Sequence, residues 1–204
     1  MFHRHAHSRK GAFHHPGSYD KLSSRHARRL HARVVDDVVA VGLPGDARVL
    51  DVGTGPGRVP LAIAERAAGV HVEGIDLSEE MIAYARGLAA DAGVPDRVSF
   101  AVEDVAALSY PDDSFDLVVS TLSQHHWADR AAGVRELLRV TRPTGQIRIY
   151  DIRFALRRAV AAAEAAGAEV RRDTVRTGRF SLGLITRLTF RPSPSHAPSP
   201  RTQG

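Results

Sequence analysis

The residues best suited to do chemistry begin at Val49-Leu50-Asp51-Val52-Gly53-Thr54-Gly55-Pro56-Gly57, where an apolar run enters a glycine-rich loop. Glycines let a backbone approach a ligand closely, and a helix starting after such a loop offers free N–H groups to an anion. The spacing is G-x-G-x-G, whereas dinucleotide sites use G-x-G-x-x-G. No Lys-Ser/Thr pair follows, so the loop is not a P-loop. Asp51 stands just ahead of it, where its charge would repel a pyrophosphate. An amino-acid end, with an ammonium beside a carboxylate, suits both the acid and the N–H groups.

Asp76 ends the next apolar run, 19 positions after Gly57. A carboxylate there can accept both hydroxyls of a ribose. Asp104 ends the run after that, where an acid can accept from an adenine amino group beside the Val105 N–H. An amine, a ribose and an adenine describe S-adenosylmethionine. Any one of these acids alone could equally cap a turn or a helix; the three together with the loop point to the ligand.

Such acids need strands to carry them. Residues 22–42 predict a helix with Leu30, Val34, Val35, Val38 and Val39 on one face. Leu43-Pro44-Gly45-Asp46 is a turn, and strands are predicted over 47–52, 70–77, 98–103, 115–120 and 146–151. Helices are predicted over 59–68, 128–141 and 155–166, the second broken by Arg142-Pro143-Thr144-Gly145. A further helix starts at Ser78 as cap, with Glu79 and Glu80 in its first turn and Met81, Ile82, Ala85, Leu88 and Ala89 as its apolar face. Two closing strands, near 168–177 and 182–191, are joined across Gly178 to Ser181. The repeated β-α order requires a mostly parallel sheet with helices on both faces. The last link is too short for a parallel return, so the sheet ends in an antiparallel hairpin.

Composition sets outer bounds. The chain has 204 residues, 43% hydrophobic and 25% charged, as one folded domain would. With no cysteine it excludes disulfides, thiolate metal sites and a cysteine nucleophile, and no metal site is expected. No apolar run approaches the ~20 residues that cross a bilayer, and the start, Met1-Phe2-His3-Arg4-His5, lacks a secretory apolar stretch, so a cytoplasmic location is expected. Residues 49–151 hold 9 basic against 16 acidic groups, between basic ends, which argues against a continuous nucleic-acid face. The partner expected is a small-molecule substrate, with no membrane, and the chain a monomer or homodimer. Residues 1–16 hold five histidines and read as a disordered tail, in which His3, His5 and His7 would share a face able to hold a divalent metal weakly. Residues 192–204, with four prolines, read as a second disordered tail.

The residues around these acids resemble the class I S-adenosylmethionine-dependent methyltransferases, and within them the small-molecule branch of ubiquinone and menaquinone biosynthesis. The resemblance is carried by Leu50-Asp51-Val52-Gly53-Thr54-Gly55-Pro56-Gly57, Gly74-Ile75-Asp76-Leu77-Ser78 with Met81, and Glu103-Asp104-Val105. It continues in Ser114-Phe115-Asp116-Leu117-Val118-Val119-Ser120, His125-His126-Trp127 and Leu138-Arg139-Val140-Thr141-Arg142-Pro143-Thr144-Gly145. It covers roughly residues 45–152 and, loosely, the closing hairpin. It implies an α/β, Rossmann-like three-layer αβα sandwich whose seven-stranded, mostly parallel sheet has its last strand antiparallel. It implies methyl transfer from S-adenosyl-L-methionine to a small-molecule acceptor. Asp51, Gly53, Thr54 and Gly55 would contact the methionine end, Asp76 the ribose, Leu77 and Met81 the adenine faces, Asp104 and Val105 the adenine edge, and Ser120 the region of the methyl group. Tyr19-Asp20 resembles the family's N-terminal lid, so residues 17–191 read as the methyltransferase domain, with 17–44 its lid and first helix, and Tyr19 closing over the cofactor. Thr144 departs from the usual glycine of its turn, and Gln124 from a usual apolar residue. The link between the fifth strand and the next helix is very short where relatives insert elements over the substrate. The pocket is therefore open, or closed by the N-terminal segment or a partner chain.

Methyl transfer needs the acceptor atom held in line with the breaking bond, and a base only if that atom must lose a proton. His125 and His126, after the fourth strand, are the candidate bases, at the strand ends where open parallel sheets bind ligands. Gln124 and Trp127 are candidate substrate contacts. Trp127 could stack on a flat acceptor or sit in the core, the two histidines then being loop residues. His26 and His31 could face the cleft or solvent. Arg153, Arg157, Arg158, Arg171, Arg172, Arg176 and Arg179 could draw an acidic acceptor or form an ordinary surface. Methylation of RNA or protein, and cofactor binding without catalysis, stay open as alternatives; no Asn-Pro-Pro-Tyr-type tetrapeptide favours the first.

Overall fold

The computed structural model describes residues 25–93, 96–177 and 183–192. The histidine-rich segment 1–16, Tyr19, the link Gly178 to Ser181, Arg179 and residues 193–204 lie outside them, as do the side chains of Arg25 and His26.

Seven strands form one sheet: β1 (Arg48–Val52), β2 (His71–Asp76), β3 (Val98–Val102), β4 (Phe115–Thr121), β5 (Thr141–Ile152), β6 (Arg171–Val175) and β7 (Ile185–Phe190). Their order across the sheet is β3-β2-β1-β4-β5-β7-β6. The first five are parallel, and β7 runs antiparallel to both β5 and β6. The helices are α1 (Arg25–Val39), α2 (Arg58–Arg66), α3 (Glu79–Asp91), α4 (Arg130–Val140) and α5 (Arg157–Ala165).

Side chains alternate across the central strands, so each strand feeds two cores. Val49, Leu117 and Val119 pack with Leu30, Val34, Val35 and Val38 of α1 and Ile63 of α2. Leu50, Val118 and Ile149 pack with Val134 and Leu137 of α4 and Ala159 and Ala163 of α5. Ile82, Ala85 and Ala89 of α3 meet Val98 and Phe100 of β3 beside Ala64 of α2. This is the three-layer sandwich with helices on both faces.

Three expectations are adjusted. The first helix stops at Val39, where Ala40 and Val41 turn the chain into Leu43-Pro44-Gly45. The closing strands are shorter than predicted, at 171–175 and 185–190. The fifth strand starts at Thr141, five residues early, because the chain pairs with β4 before and after the Pro143-Thr144-Gly145 excursion. Phe115 faces Thr141 and Leu117 faces Gln146, with a bulge between.

A buried polar knot ties α1 to the sheet. Asp37 accepts from Tyr150 Oη (3.0 Å), Arg187 Nη1 (2.9 Å) and Arg33 Nε (2.9 Å), while its carbonyl accepts from Arg148 Nη1.

Candidate active site

The glycine loop leaves the C-terminal end of β1 and is pinned to its neighbour. Gly53 N and Thr54 N both donate to Ile75 O, at 2.8 and 2.9 Å. Gly53 has φ +70°, and a Cβ on it would overlap the side chain of Ser123. Gly55, at φ +54°, donates its N–H to Asp76 Oδ2 (2.9 Å), and a Cβ on it would meet nothing within 4 Å among the described residues. Among the described residues the loop thus packs on one side and is open on the other.

Asp51 is buried under this loop and accepts from Thr54 Oγ1 at 2.7 Å. Burial pushes its carboxyl up to about 7; the Thr54 hydrogen bond opposes the rise and the charge of Asp76 adds to it. A buried acid held this way favours a ligand that brings a positive charge. Asp76, half-buried, accepts from Gly55 N through Oδ2 and from Ser78 N (3.0 Å) through Oδ1, leaving a lone pair on each oxygen. Ser78 then caps α3 through Met81 N. The next side chain after Asp76, Leu77, is 72% exposed, a large apolar group standing free beside an acid, while Met81 is buried. Asp104 is exposed and accepts from Ala106 N at 2.9 Å, and Val105 beside it is buried. Glu103 N donates to Asp76 O, joining the ends of β2 and β3. The three acids therefore lie at the C-terminal ends of three adjacent strands.

A short 3₁₀ turn, Gln124–His126, follows β4. Ser123, just ahead of it, is a hub absent from the sequence analysis. Its Oγ donates to Val52 O (2.9 Å), meets Ser120 Oγ (2.9 Å) and accepts from Trp127 Nε1 (3.2 Å). Ser120 is fully buried behind it, and Trp127 lies in the core against Gly133, its indole supporting the turn from within. Of the two positions open to Trp127, the structure takes the core. Gln124 is 0% exposed, yet neither of its amide side-chain atoms has a hydrogen-bond partner; Thr121 Oγ1 is the same. Arg130 clamps the turn by donating to Gln124 O and to His125 O (2.6 Å).

His125 Nδ1 lies 2.8 Å from Asp151 Oδ1, and nothing in the local sequence marks Asp151 beyond its place at the end of a strand. The His126 ring stands 4.0 Å from that of His125. Partial burial lowers its pKa, followed by the neighbouring His125; Asp151 and Asp76 pull the other way. His31 is half-buried, lowered by burial and by Arg58. Beyond Asp151, Ile152, Phe154 and Leu184 are exposed apolar groups on one rim, tied by the Arg153 N–H to Leu184 O. Arg153, Arg157 and Arg172 line a separate cleft of about 420 Å³ between α5 and the β6–β7 hairpin; Arg172 pairs with Glu164 and Arg171 with Asp173. A second cleft, about 360 Å³, sits at the opposite ends of β1–β3 and shares no residue with the acid rim.

Residues 49–145 match the family described as "Methyltransferase domain". The chain is 39% identical over 140 residues to "Methyltransferase GfsG" of Streptomyces halstedii, covering 67% of this chain and 48% of that protein. It is 37% identical over 105 residues to the "Ubiquinone/menaquinone biosynthesis C-methyltransferase UbiE" of Geobacter sulfurreducens, covering 51% and 41%. A crystal structure of a SAM-dependent methyltransferase from Aquifex aeolicus shares the fold, with a TM-score of 0.70 at 22% identity over 86% of this chain and 97% of that one. The chain spans about half the length, or less, of the curated relatives it matches.

Proposed function

We propose that this chain, whose residues 49–145 match the methyltransferase-domain family, is a class I S-adenosylmethionine-dependent methyltransferase and transfers the methyl group of S-adenosyl-L-methionine to a small-molecule acceptor. The reading rests on one observation above the rest. Three carboxylates stand at adjacent strand ends, the first buried without a cation bonded to it among the described residues, and beside them lie an open-sided glycine loop and the free face of Leu77. That set suits an ammonium, a ribose and an adenine in that order.

On this reading Asp51 and the Gly53-Thr54-Gly55 loop take the amino-acid end. Asp76 accepts from the ribose hydroxyls, Leu77 covers an adenine face with Met81 beneath, and Asp104 and the Val105 N–H meet the adenine edge. Ser120 backs the methyl end through Ser123. When bound, S-adenosylmethionine supplies a methyl carbon already attached to a positively charged leaving group. The protein's part is to hold the acceptor in line and exclude water, and such placement can supply ~7–11 kcal/mol of the barrier. His125 and His126 face the acceptor side. Gln124 is buried within the turn with its amide unpaired, so it would reach the acceptor only if the turn shifts, and Trp127 supports the turn from the core. No described helix is long and apolar enough to cross a membrane; the cytoplasmic location belongs to the proposal, and cell fractionation tests it.

Calorimetric titration with S-adenosylmethionine, S-adenosylhomocysteine and NAD tests the cofactor assignment. Both sulfur ligands are expected to bind in the micromolar range and to lose that binding in Asp76→Ala. Binding of NAD in their place overturns it. A metabolite acceptor screen follows. Copurifying nucleic acid with steep salt dependence would redirect the reading to RNA, and cofactor binding with no turnover of any acceptor class to a non-catalytic protein.

A further inference from the structure

Taking the methyltransferase reading as its basis, we propose that the acceptor is an amphipathic acid, whose carboxylate or phosphate group is held by Arg153, Arg157 and the Thr186 hydroxyl in the cleft between α5 and the β6–β7 hairpin. The cleft measures about 420 Å³, and small-molecule sites run from ~300 to ~1,000 Å³. Strand alternation puts Thr186, Leu188 and Phe190 on the face of β7 that meets α5. Across the pairing to β6, Thr174 stands opposite Thr186 and Arg172 opposite Leu188. The floor therefore changes along β7 from apolar to hydroxyl-bearing. Thr186 is only 7% exposed, yet its hydroxyl has no hydrogen-bond partner among the described residues, and it lines the cleft. Buried hydroxyls are rarely left so.

The opposite wall is one face of α5, where Arg157, Val160, Ala161 and Glu164 fall at i, i+3, i+4 and i+7. Two carboxylates line the cleft, and both are already paired. Glu164 accepts from Arg172 (3.1 Å), and Asp173 from Arg187 (2.8 Å) and Arg171 (3.1 Å). Among the described residues Arg157 has no such partner, and Arg153 only rests over the Phe154 ring, 5.1 Å from its centroid. The placement of Arg157 runs against local helix electrostatics. The first turn of α5 holds Arg157 and Arg158 and no acid, so positive side chains sit at the positive end of the helix dipole. An oxyanion between Arg153 and Arg157 turns that repulsion into attraction. A guanidinium meets a carboxylate or a phosphate through two parallel N–H···O bonds, while Leu156, Val160 and Leu188 offer their surface to hydrocarbon.

Strand register ties the cleft to the acceptor side. Thr186 pairs with Asp151 of β5 on one side and with Thr174 of β6 on the other. Asp151 anchors the turn that carries His125. Neighbouring strands lie about 5 Å apart, so the cleft floor begins one strand spacing from that anchor. Arg153 stands between Ile152 and Phe154, whose exposed side chains form with Leu184 the apolar rim beside it. A molecule with its methyl-accepting atom at the turn, its apolar body along this rim and its acid in the cleft meets all three features. An uncharged or cationic end would leave both guanidinium groups unanswered.

The test titrates the full chain, with S-adenosylhomocysteine bound, against phenylbutyrate, phenylbutyl phosphate and the uncharged phenylbutyramide. At least one acid is expected to bind about tenfold tighter than the amide or better, and to shift the backbone NMR signals of Arg157, Thr174 and Thr186; the tighter acid names the oxyanion. Arg153→Gln and Arg157→Gln should each weaken that acid by about tenfold. Ala161→Leu should weaken all three probes by filling the cleft, and Arg158→Gln, exposed but outside the cleft, should leave affinity within about twofold. An amide that binds as well as both acids, or acid binding that Arg153→Gln, Arg157→Gln and Ala161→Leu all leave unchanged, overturns the proposal. A second arm supplies phenol and amine acceptors in matched pairs, an acid and its amide. The acid of a pair is expected to show a KM about tenfold lower, which Arg153→Gln and Arg157→Gln abolish without changing kcat, the KM for S-adenosylmethionine or turnover of the amide. Turnover blind to the acid group overturns the assignment of the cleft to the acceptor, even where the probes bind. If wild type binds neither sulfur ligand, or turns over neither member of any pair, it is the methyltransferase reading that fails, and the probe titration on the same chain still decides what the cleft holds.

Discussion

Replacing Asp51 by Asn should change how stability depends on pH, and by a calculable amount. Asp51 is buried, and its carboxyl is pushed from 3.8 up to about 7 in the folded chain. Between those two values the folded state binds a proton that the unfolded state has lost, so stability falls as pH rises from about 4 to about 7. A shift of roughly three units at ~1.36 kcal/mol per unit is a loss of about 4 kcal/mol over the whole window, of which about 3 kcal/mol falls between about pH 5 and pH 8. Asp51→Asn keeps the acceptor for Thr54 Oγ1 but has no proton to release. The absolute stability of the variant includes the cost of placing its NH₂. The change in the difference between variant and wild type with pH does not, because that cost and the other titrating groups are shared. Urea unfolding of both proteins at the two pH values measures it, with the variant gaining about 3 kcal/mol on wild type. The same site predicts that S-adenosylmethionine binds wild type about fivefold tighter at about pH 7 than at pH 6, since its ammonium meets an ionised Asp51. Parallel pH slopes for the two proteins would mean that Asp51 titrates like a surface acid, and the case for a cation-seeking pocket would be lost.

The loop glycines should separate by effect. Gly53→Ala drives a Cβ into Ser123 at φ +70° and lowers both melting temperature and cofactor affinity, whereas Gly55→Ala, with open space around it, mainly weakens cofactor binding in calorimetry. Gly133→Ala in α4 should destabilise by ~1–3 kcal/mol, against the usual helical gain from alanine, because its Cβ would lie 2.8 Å from the Trp127 ring; a rise in urea midpoint would contradict this. Asp37→Ala should cost about 3 kcal/mol by uncoupling Arg33, Tyr150 and Arg187, and Tyr150→Phe about 1 kcal/mol, both read from denaturant midpoints.

Strands β1 and β4 are readable in the sequence because they are central, buried on both faces and mostly apolar between turn residues, while β2 and the edge strand β3 are readable as short runs in which buried apolar residues alternate with more exposed ones. The start of β5 is not, since Arg142-Pro143-Thr144-Gly145 carries turn chemistry and only the pairing of Thr141 with Phe115 makes it part of the sheet. The acid positions at the strand ends follow from spacing alone. Asp151 and Ser123 do not. The first matters because parallel pairing sets it against His125, and the second because Gly53, 70 residues earlier, leaves room for it. No local pattern encodes either distance. Trp127 was open between wall and core, and its position depends on Gly133 one turn into a helix that the sequence places but cannot aim.

The sheet order has a consequence for how the protein is made. The last strand, β7, lies between β5 and β6. During synthesis β6 emerges first, with no partner to join, and β5 keeps a bare edge of unpaired N–H and C=O groups until β7 slides in beside it. The half-finished sheet is thus sticky for as long as the ribosome holds back the final strand, and a nascent chain stalled there is the form most in need of a chaperone.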